Sequence, residues 1–122
     1  MRLVIAGSRE LLVDSDFVDQ CVKHFRLKVK EVVSGSGGFV DEAGEEWSSL
    51  FLEKEPKVFQ ANWKNDGNAA GPIRNKRMAE YGDALLLIWS GTSKGSLSMK
   101  KEMMKLGKPV YEIILKSPQH ER

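Results

Sequence analysis

Asp83-Ala-Leu-Leu-Leu-Ile-Trp89, followed at once by Ser90-Gly-Thr-Ser-Lys-Gly-Ser96, decides the fold of this chain. The first segment is a short unbroken apolar run, the pattern of a strand buried on both faces. The second is a loop of small residues that opens a helix. A small-residue loop at a strand's carboxyl end, feeding a helix N-terminus, is where phosphates commonly bind. Backbone N–H groups and the helix dipole both favour an anion there. Upstream, Gly67-Asn-Ala-Ala-Gly-Pro-Ile-Arg-Asn-Lys-Arg-Met78 reads as a loop running into a basic helix start. Pro72 suits the first turn of that helix and Gly82 its end.

Working outward, the alternation repeats. Arg2 to Ala6 is an apolar strand ending at Gly7. Phe17, Val18, Cys21, Val22 and Phe25 recur at helical spacing, which predicts a helix over 14–27 with Asp14 or Ser15 as its cap. Lys30 to Ser34 is a second strand. Val40, Ala43, Trp47, Leu50 and Phe51 mark one face of a second helix. Lys57 to Ala61 is a third strand, and the period-free stretch Asn62 to Ala70 is a loop. Leu97, Met103, Met104 and Leu106 lie on the last helix, which stops at Gly107; Val110 to Leu115 is the fifth strand. Strict strand–helix alternation implies an α/β fold with a parallel sheet covered on both faces. Right-handed crossovers make it a doubly wound, Rossmann-like, five-stranded sheet of order 3-2-1-4-5. Residues 1–116 form one domain and 117–122 a polar tail.

Composition narrows the function classes. The 122 residues carry 19 basic and 17 acidic side chains, a net charge of +2, milder than a dedicated duplex-DNA binder shows. No apolar run approaches the ~20 residues that span a bilayer, and the first residues read as a strand rather than a secretory signal. Cys21 is the single cysteine, so no internal disulfide forms and a reducing, cytoplasmic setting is expected. With only His24 and His120 beside it, no His/Cys metal centre can be built, and no metal site is expected. Mg²⁺ enters only as a companion of ligand phosphates.

Ligands of such sheets sit at the strands' carboxyl ends where strand order reverses, here between the first and fourth strands. Two further small-residue loops reach that edge, Gly7-Ser8-Arg9 and Ser34-Gly35-Ser36-Gly37-Gly38. Neither follows the dinucleotide pattern G-x-G-x-x-G, and Ser90–Ser96 is not a Walker loop. Gly7 permits close backbone approach, Ser8 can donate to a phosphate, and Arg9 can clamp one. Asp41 and Glu45 lie four residues apart early in the second helix. Both are candidates for a ribose hydroxyl or for acid–base work; Asp41 belongs to the ligand-binding set, while Glu45 is read first in the simpler role of complementing the helix dipole. Arg74 shares a helical face with Met78 and Tyr81 and is expected to reach the sheet's carboxyl edge beside Asn75, whereas Lys76 and Arg77 face away. Gly91, Ser93, Lys94, Gly95 and Ser96 complete the ligand-binding set. Trp89 either stacks on a base or fills the core, and Trp63 is a candidate lid or base platform.

Together these motifs resemble the SLOG superfamily of Rossmann-like domains, which includes the DNA-uptake protein DprA and the LOG phosphoribohydrolases. The small YspA/YpsA-type branch is the most similar. The resemblance covers nearly the whole chain, through Val4-Ile-Ala-Gly-Ser-Arg9, Val32-Val-Ser-Gly35, Val40-Asp41 with Gly44-Glu45, Ala61-Asn-Trp63, Ala70-Gly-Pro-Ile-Arg-Asn-Lys-Arg-Met78 and Trp89-Ser-Gly-Thr-Ser-Lys-Gly-Ser96. It implies a nucleotide or nucleotide-derived, ADP-ribose-like ligand. It also implies self-association, with a dimer expected. In LOG enzymes an Arg and a Glu cleave the N-glycosidic bond of a nucleoside monophosphate. Arg74 matches the Arg, but the Glu position falls on Met99. The branch's Gly-Ala-Arg-Gly segment is here Ser36-Gly37-Gly38-Phe39, so its Arg is replaced by Gly38. Three functions follow as expectations: a nucleotide binder or sensor first, an N-glycosidic hydrolase using Asp41 or Glu45 second, and a DprA-like single-stranded DNA binder using Arg74, Arg77 and Lys94 third.

Overall fold

The computed structural model describes residues 1–116; the polar tail at 117–122, with His120, lies outside the described residues. Strands β1 (Arg2–Gly7), β2 (Glu31–Ser34), β3 (Lys57–Val58), β4 (Ala84–Trp89) and β5 (Val110–Ile114) form one parallel sheet in the order β3-β2-β1-β4-β5. β1 lies between β2 and β4, with Leu3 in register with both Val32 and Ala84. The expected doubly wound architecture and strand order are therefore what the chain adopts. Among the described residues no helix is long and apolar enough to cross a membrane.

Side-chain alternation divides the core into two layers. Leu3, Ile5, Val32, Leu86 and Ile88 face α1 (Ser15–His24) and α2 (Phe39–Phe51), meeting Val18, Cys21, Val40, Ala43 and Trp47. Val4, Ala6, Val33, Leu85, Leu87 and Trp89 face α4 (Ala70–Tyr81) and α5 (Lys94–Lys105), meeting Met78, Ala79, Met99 and Met103. All six residues of β4 are buried, which is why its sequence shows no alternation. Asp14 caps α1 by accepting the Phe17 N–H at 2.8 Å.

Three sequence expectations are corrected. The stretch Asn62–Ala70 is not a loop. It holds a one-turn helix, α3 (Trp63–Asp66), then a 3₁₀ turn (Gly67–Ala69) that runs into α4 two residues before Pro72. Asn62 drives this by capping α3, its Oδ1 accepting the Asn65 N–H at 3.2 Å. β3 is two residues rather than five: the Phe59 N–H closes the pairing on Ser34 O, and the Phe59 ring packs on Tyr81. Leu50 and Phe51, placed on one face of α2 with Val40, Ala43 and Trp47, are exposed, and so are Leu97, Met104 and Leu106 at α5. The inner face of α2 is Val40, Ala43, Gly44, Trp47 and Ser48, and that of α5 is Ser96, Met99 and Met103.

Candidate functional site

At the carboxyl edge, across the point where strand order reverses, lies a cleft of about 590 Å³. That volume is in the range of small-molecule sites. Residues from the loops after β1, β2 and β4 line it, together with the first turns of α4 and α5.

The β1 loop is built by close approach. A Cβ at Gly7 would stand 1.8 Å from the Ile88 carbonyl oxygen, so only glycine lets β1 run this close to β4. The Ser8 N–H then donates to Ile88 O at 3.2 Å. The Ser8 hydroxyl is buried between the two loops: it accepts the Ser90 N–H at 3.0 Å and donates to Ser90 Oγ at 3.3 Å. Ser8 thus ties the β1 and β4 loops across the cleft floor. Arg9 follows, exposed and lining the cleft.

Gly38 owes its identity to Arg9. A Cβ there would lie 2.6 Å from Arg9 Cα, and the Phe39 N–H donates to Arg9 O at 3.2 Å. A side chain at position 38 is therefore excluded by the docked β1 loop. The arginine that the resembled branch carries there has no room, while Arg9 itself brings a guanidinium to the cleft.

The β2 loop separates the two candidate carboxylates. Glu45 Oε2 accepts the Ser34 hydroxyl at 2.6 Å and the Ser36 hydroxyl at 2.7 Å. It holds the loop at Ser36, whose φ of 51° is left-handed, and does not line the cleft. Asp41 does line it, and its Oδ2 accepts the Gly37 N–H at 2.7 Å. Burial raises the Asp41 carboxyl to about 6, with Glu45 adding to the rise; the Gly37 N–H, Arg74 and Arg9 oppose it. Ser34, Gly35 and Ser36 shape the loop without lining the cleft.

Arg74 and Asn75 bridge the loops. Arg74 Nη1 donates to Gly35 O at 2.8 Å and Nε donates to Asn75 Oδ1 at 3.0 Å. Burial lowers the Arg74 guanidinium's pKa, and the Asp41 charge partly opposes this. The buried Asn75 donates through Nδ2 to Ser98 Oγ at 3.2 Å and to Gly95 O at 3.4 Å, joining α4 to the start of α5. Lys76 and Arg77 are exposed and outside the cleft, as their helical positions predict.

The α5 N-terminus closes the site. Ser93 Oγ accepts the Ser96 N–H and Ser93 O accepts the Leu97 N–H. The Lys94 and Gly95 N–H groups precede the first intrahelical bond and belong to cleft-lining residues. Ser96 Oγ is buried without a hydrogen-bond partner, an uncommon state for a hydroxyl. Gly91, at φ 92°, is outside the cleft.

Trp89 is core. It is buried, its Nε1 donates to Glu112 Oε2 at 2.6 Å, and it is absent from the cleft wall. Its place on one strand face with Leu85 and Leu87 was the available signal. Sequence reasoning missed Glu10, Thr92 and Ser98 as lining residues, and Ala6 and Met78 as the apolar wall beside Met99. Ser98 follows Lys94 by four residues, which puts both on one face of α5. Among the described residues no group of three or more His, Cys, Asp or Glu can hold a metal ion. No family model, curated protein or solved structure matches the chain.

Proposed function

We propose that the cleft binds a nucleotide or nucleotide-derived, ADP-ribose-like ligand, as a binder or sensor. One observation carries this reading. Residues of all three small-residue loops line a single cleft at the reversal of strand order, and Arg9, Arg74 and Lys94 line it with them. The α5 N-terminus supplies N–H donors suited to a phosphate. Arg74 is half-buried beside Asp41, and an anion would compensate a guanidinium that burial disfavours.

A hydrolase is the second reading, and Asp41 is the observation that favours it. A buried cleft carboxyl titrating near 6 has the properties of a general acid or base. The position that carries a glutamate in LOG enzymes is Met99, buried in the apolar wall. A DNA-binding reading finds less support, since Arg77, one of its three basic residues, lies outside the cleft that Arg74 and Lys94 line.

A thermal-shift screen against a nucleotide library tests the proposal. A ligand at ~100 times its Kd adds about 2.7 kcal/mol of stability. Stabilisation by at least one phosphate-bearing nucleotide, with affinity little changed by salt, is expected. No stabilisation at millimolar nucleotide would sink the proposal, and oligonucleotide affinity that collapses with salt would favour a backbone binder instead.

A further inference from the structure

Two of the three tryptophans are explained by packing. Trp47 is buried, stacks on Phe51 and donates its N–H to Asp19 at 3.1 Å; Trp89 is buried and bonded to Glu112. Trp63 differs from both. It is 53% exposed and lines the cleft. An indole left half in water forgoes much of the stabilisation that burial would bring.

The local structure fixes the turn that carries this ring. α3 carries Trp63 as its first residue, and Asn62 fixes that turn twice: its side chain accepts the Asn65 N–H and its carbonyl accepts the Asp66 N–H at 2.8 Å. The ring edge rests over Gly71 of α4, where an added methyl would lie 3.5 Å from Trp63 Cη2. The same cleft has an apolar wall of Ala6, Met78 and Met99, and polar groups at Ser93 and Lys94. A flat aromatic surface and an anion-binding loop in one cleft suit a ligand with a flat ring at one end and a phosphate at the other.

We propose that Trp63 is the platform on which the base of a nucleoside phosphate stacks, so that the cleft selects base-bearing nucleotides over sugar phosphates. The inference rests on the phosphate-binding reading of the cleft. Stacking on an aromatic side chain accepts every base, so Trp63 would set the ligand class and not the base identity.

Calorimetric titration of the wild type, Trp63→Ala and Trp63→Phe tests this, with AMP, GMP, CMP and UMP each compared with ribose 5-phosphate. In the wild type the tightest monophosphate should bind about 10-fold or more tighter than ribose 5-phosphate. Trp63→Ala should remove that preference while leaving ribose 5-phosphate affinity unchanged, which also shows that the variant is folded. Trp63→Phe should keep most of the preference. Equal affinities in the wild type, or a preference that survives in Trp63→Ala, would overturn the platform alone. Binding of no monophosphate in the wild type would overturn the platform, and only failure of the whole nucleotide library in the thermal-shift screen would overturn the phosphate-binding reading beneath it.

Discussion

Arg74 Nη1 donates to the carbonyl of Gly35 at 2.8 Å, joining the first turns of α4 to the end of β2 across 39 residues of sequence. A Cβ at Gly35 would stand 2.6 Å from that same nitrogen, so a side chain there would push the guanidinium off this contact. Arg74 therefore serves two ends: it anchors the β2 loop and keeps its charge at the cleft.

Arg74→Ala should weaken binding of a phosphate-bearing nucleotide about 10- to 100-fold, the range of a lost charge-assisted contact. Arg77→Ala, exposed and off the cleft, should change affinity by less than about twofold. Titration of both variants with the best ligand from the thermal-shift screen is the measurement. Equal losses, or a larger loss at Arg77, would show that the cleft is not where the ligand sits.

Asp41 should make folding stability pH-dependent. Its carboxyl titrates near 6 in the folded chain against an ordinary 3.8, so the folded state holds the proton more tightly than the unfolded state. The groups facing it are Arg74 from α4, Arg9 from the β1 loop, and Glu45 and the Gly37 N–H from its own side. The stabilisation is complete below pH ~4 and is lost as pH rises to ~6, about 3 kcal/mol in all. Asp41→Asn, which can still accept the Gly37 N–H, should flatten that fall. Urea unfolding at pH steps from 4 to 7 measures it; parallel curves for the two proteins would refute the assignment.

Much of this was legible, for reasons that lie in particular residues. β4 is buried on both faces, so Ala84–Trp89 had to be continuously apolar, and that run located the sheet's centre. Arg74 could be aimed from Met78 four residues later, because a helix repeats its faces. The sequence puts Asp41 ahead of Glu45 as a ligand contact, but both lie on one stretch of α2 and nothing in their spacing says what would hold Glu45 away. Only the fold of the β2 loop shows that Ser34 and Ser36 claim Glu45 while Asp41 faces the cleft. α3 escaped because a single turn has no period to detect.

Gly7 and Gly95 should respond oppositely to alanine. At Gly7 the new methyl would meet the Ile88 carbonyl at 1.8 Å, with backbone on both sides of the contact. The strands must part, and a loss of about 3 kcal/mol or more is expected. At Gly95 nothing lies within 4 Å of the added carbon, and the residue is already helical. Alanine there should be neutral or gain about 0.5–1 kcal/mol. Chemical denaturation compares the two; a tolerated Gly7→Ala would contradict the close pairing of β1 and β4.

Lys108 stabilises the far edge of the sheet. Its Nζ donates to the carbonyls of Ala79, Glu80 and Gly82 at 2.8, 3.1 and 2.7 Å, covering the carboxyl end of α4 with a positive charge. Lys108→Met should cost about 1–3 kcal/mol and lower Tm by about 4–10 °C. Ligand affinity should not change, because these carbonyls lie at the amino end of β4, opposite the cleft. A Tm within about 1 °C of the wild type would show that this cap contributes little.

Catalysis gives the sharpest separation of the readings. Cleaving an N-glycosidic bond requires a carboxylate beside the ribose, to stabilise an oxocarbenium-like centre or to activate water. Met99, to which the resemblance assigns the LOG glutamate's place, is apolar and 1% exposed in the cleft wall. Glu45 is held by two serine hydroxyls in the β2 loop. Among the described residues, Glu10 and Asp41 are the carboxylates that line the cleft; Glu10 is exposed to solvent, and Asp41 comes from α2, across the cleft from Met99, with one oxygen accepting the Gly37 N–H. No release of base from AMP, GMP, CMP or UMP is therefore expected after long incubation, read by chromatography of the free bases. Release that disappears in Asp41→Asn but persists in Glu45→Gln would overturn the binder reading and make Asp41 the catalytic group. Release that disappears in Glu45→Gln alone would mean that the β2 loop rearranges around the ligand and delivers Glu45 to the sugar.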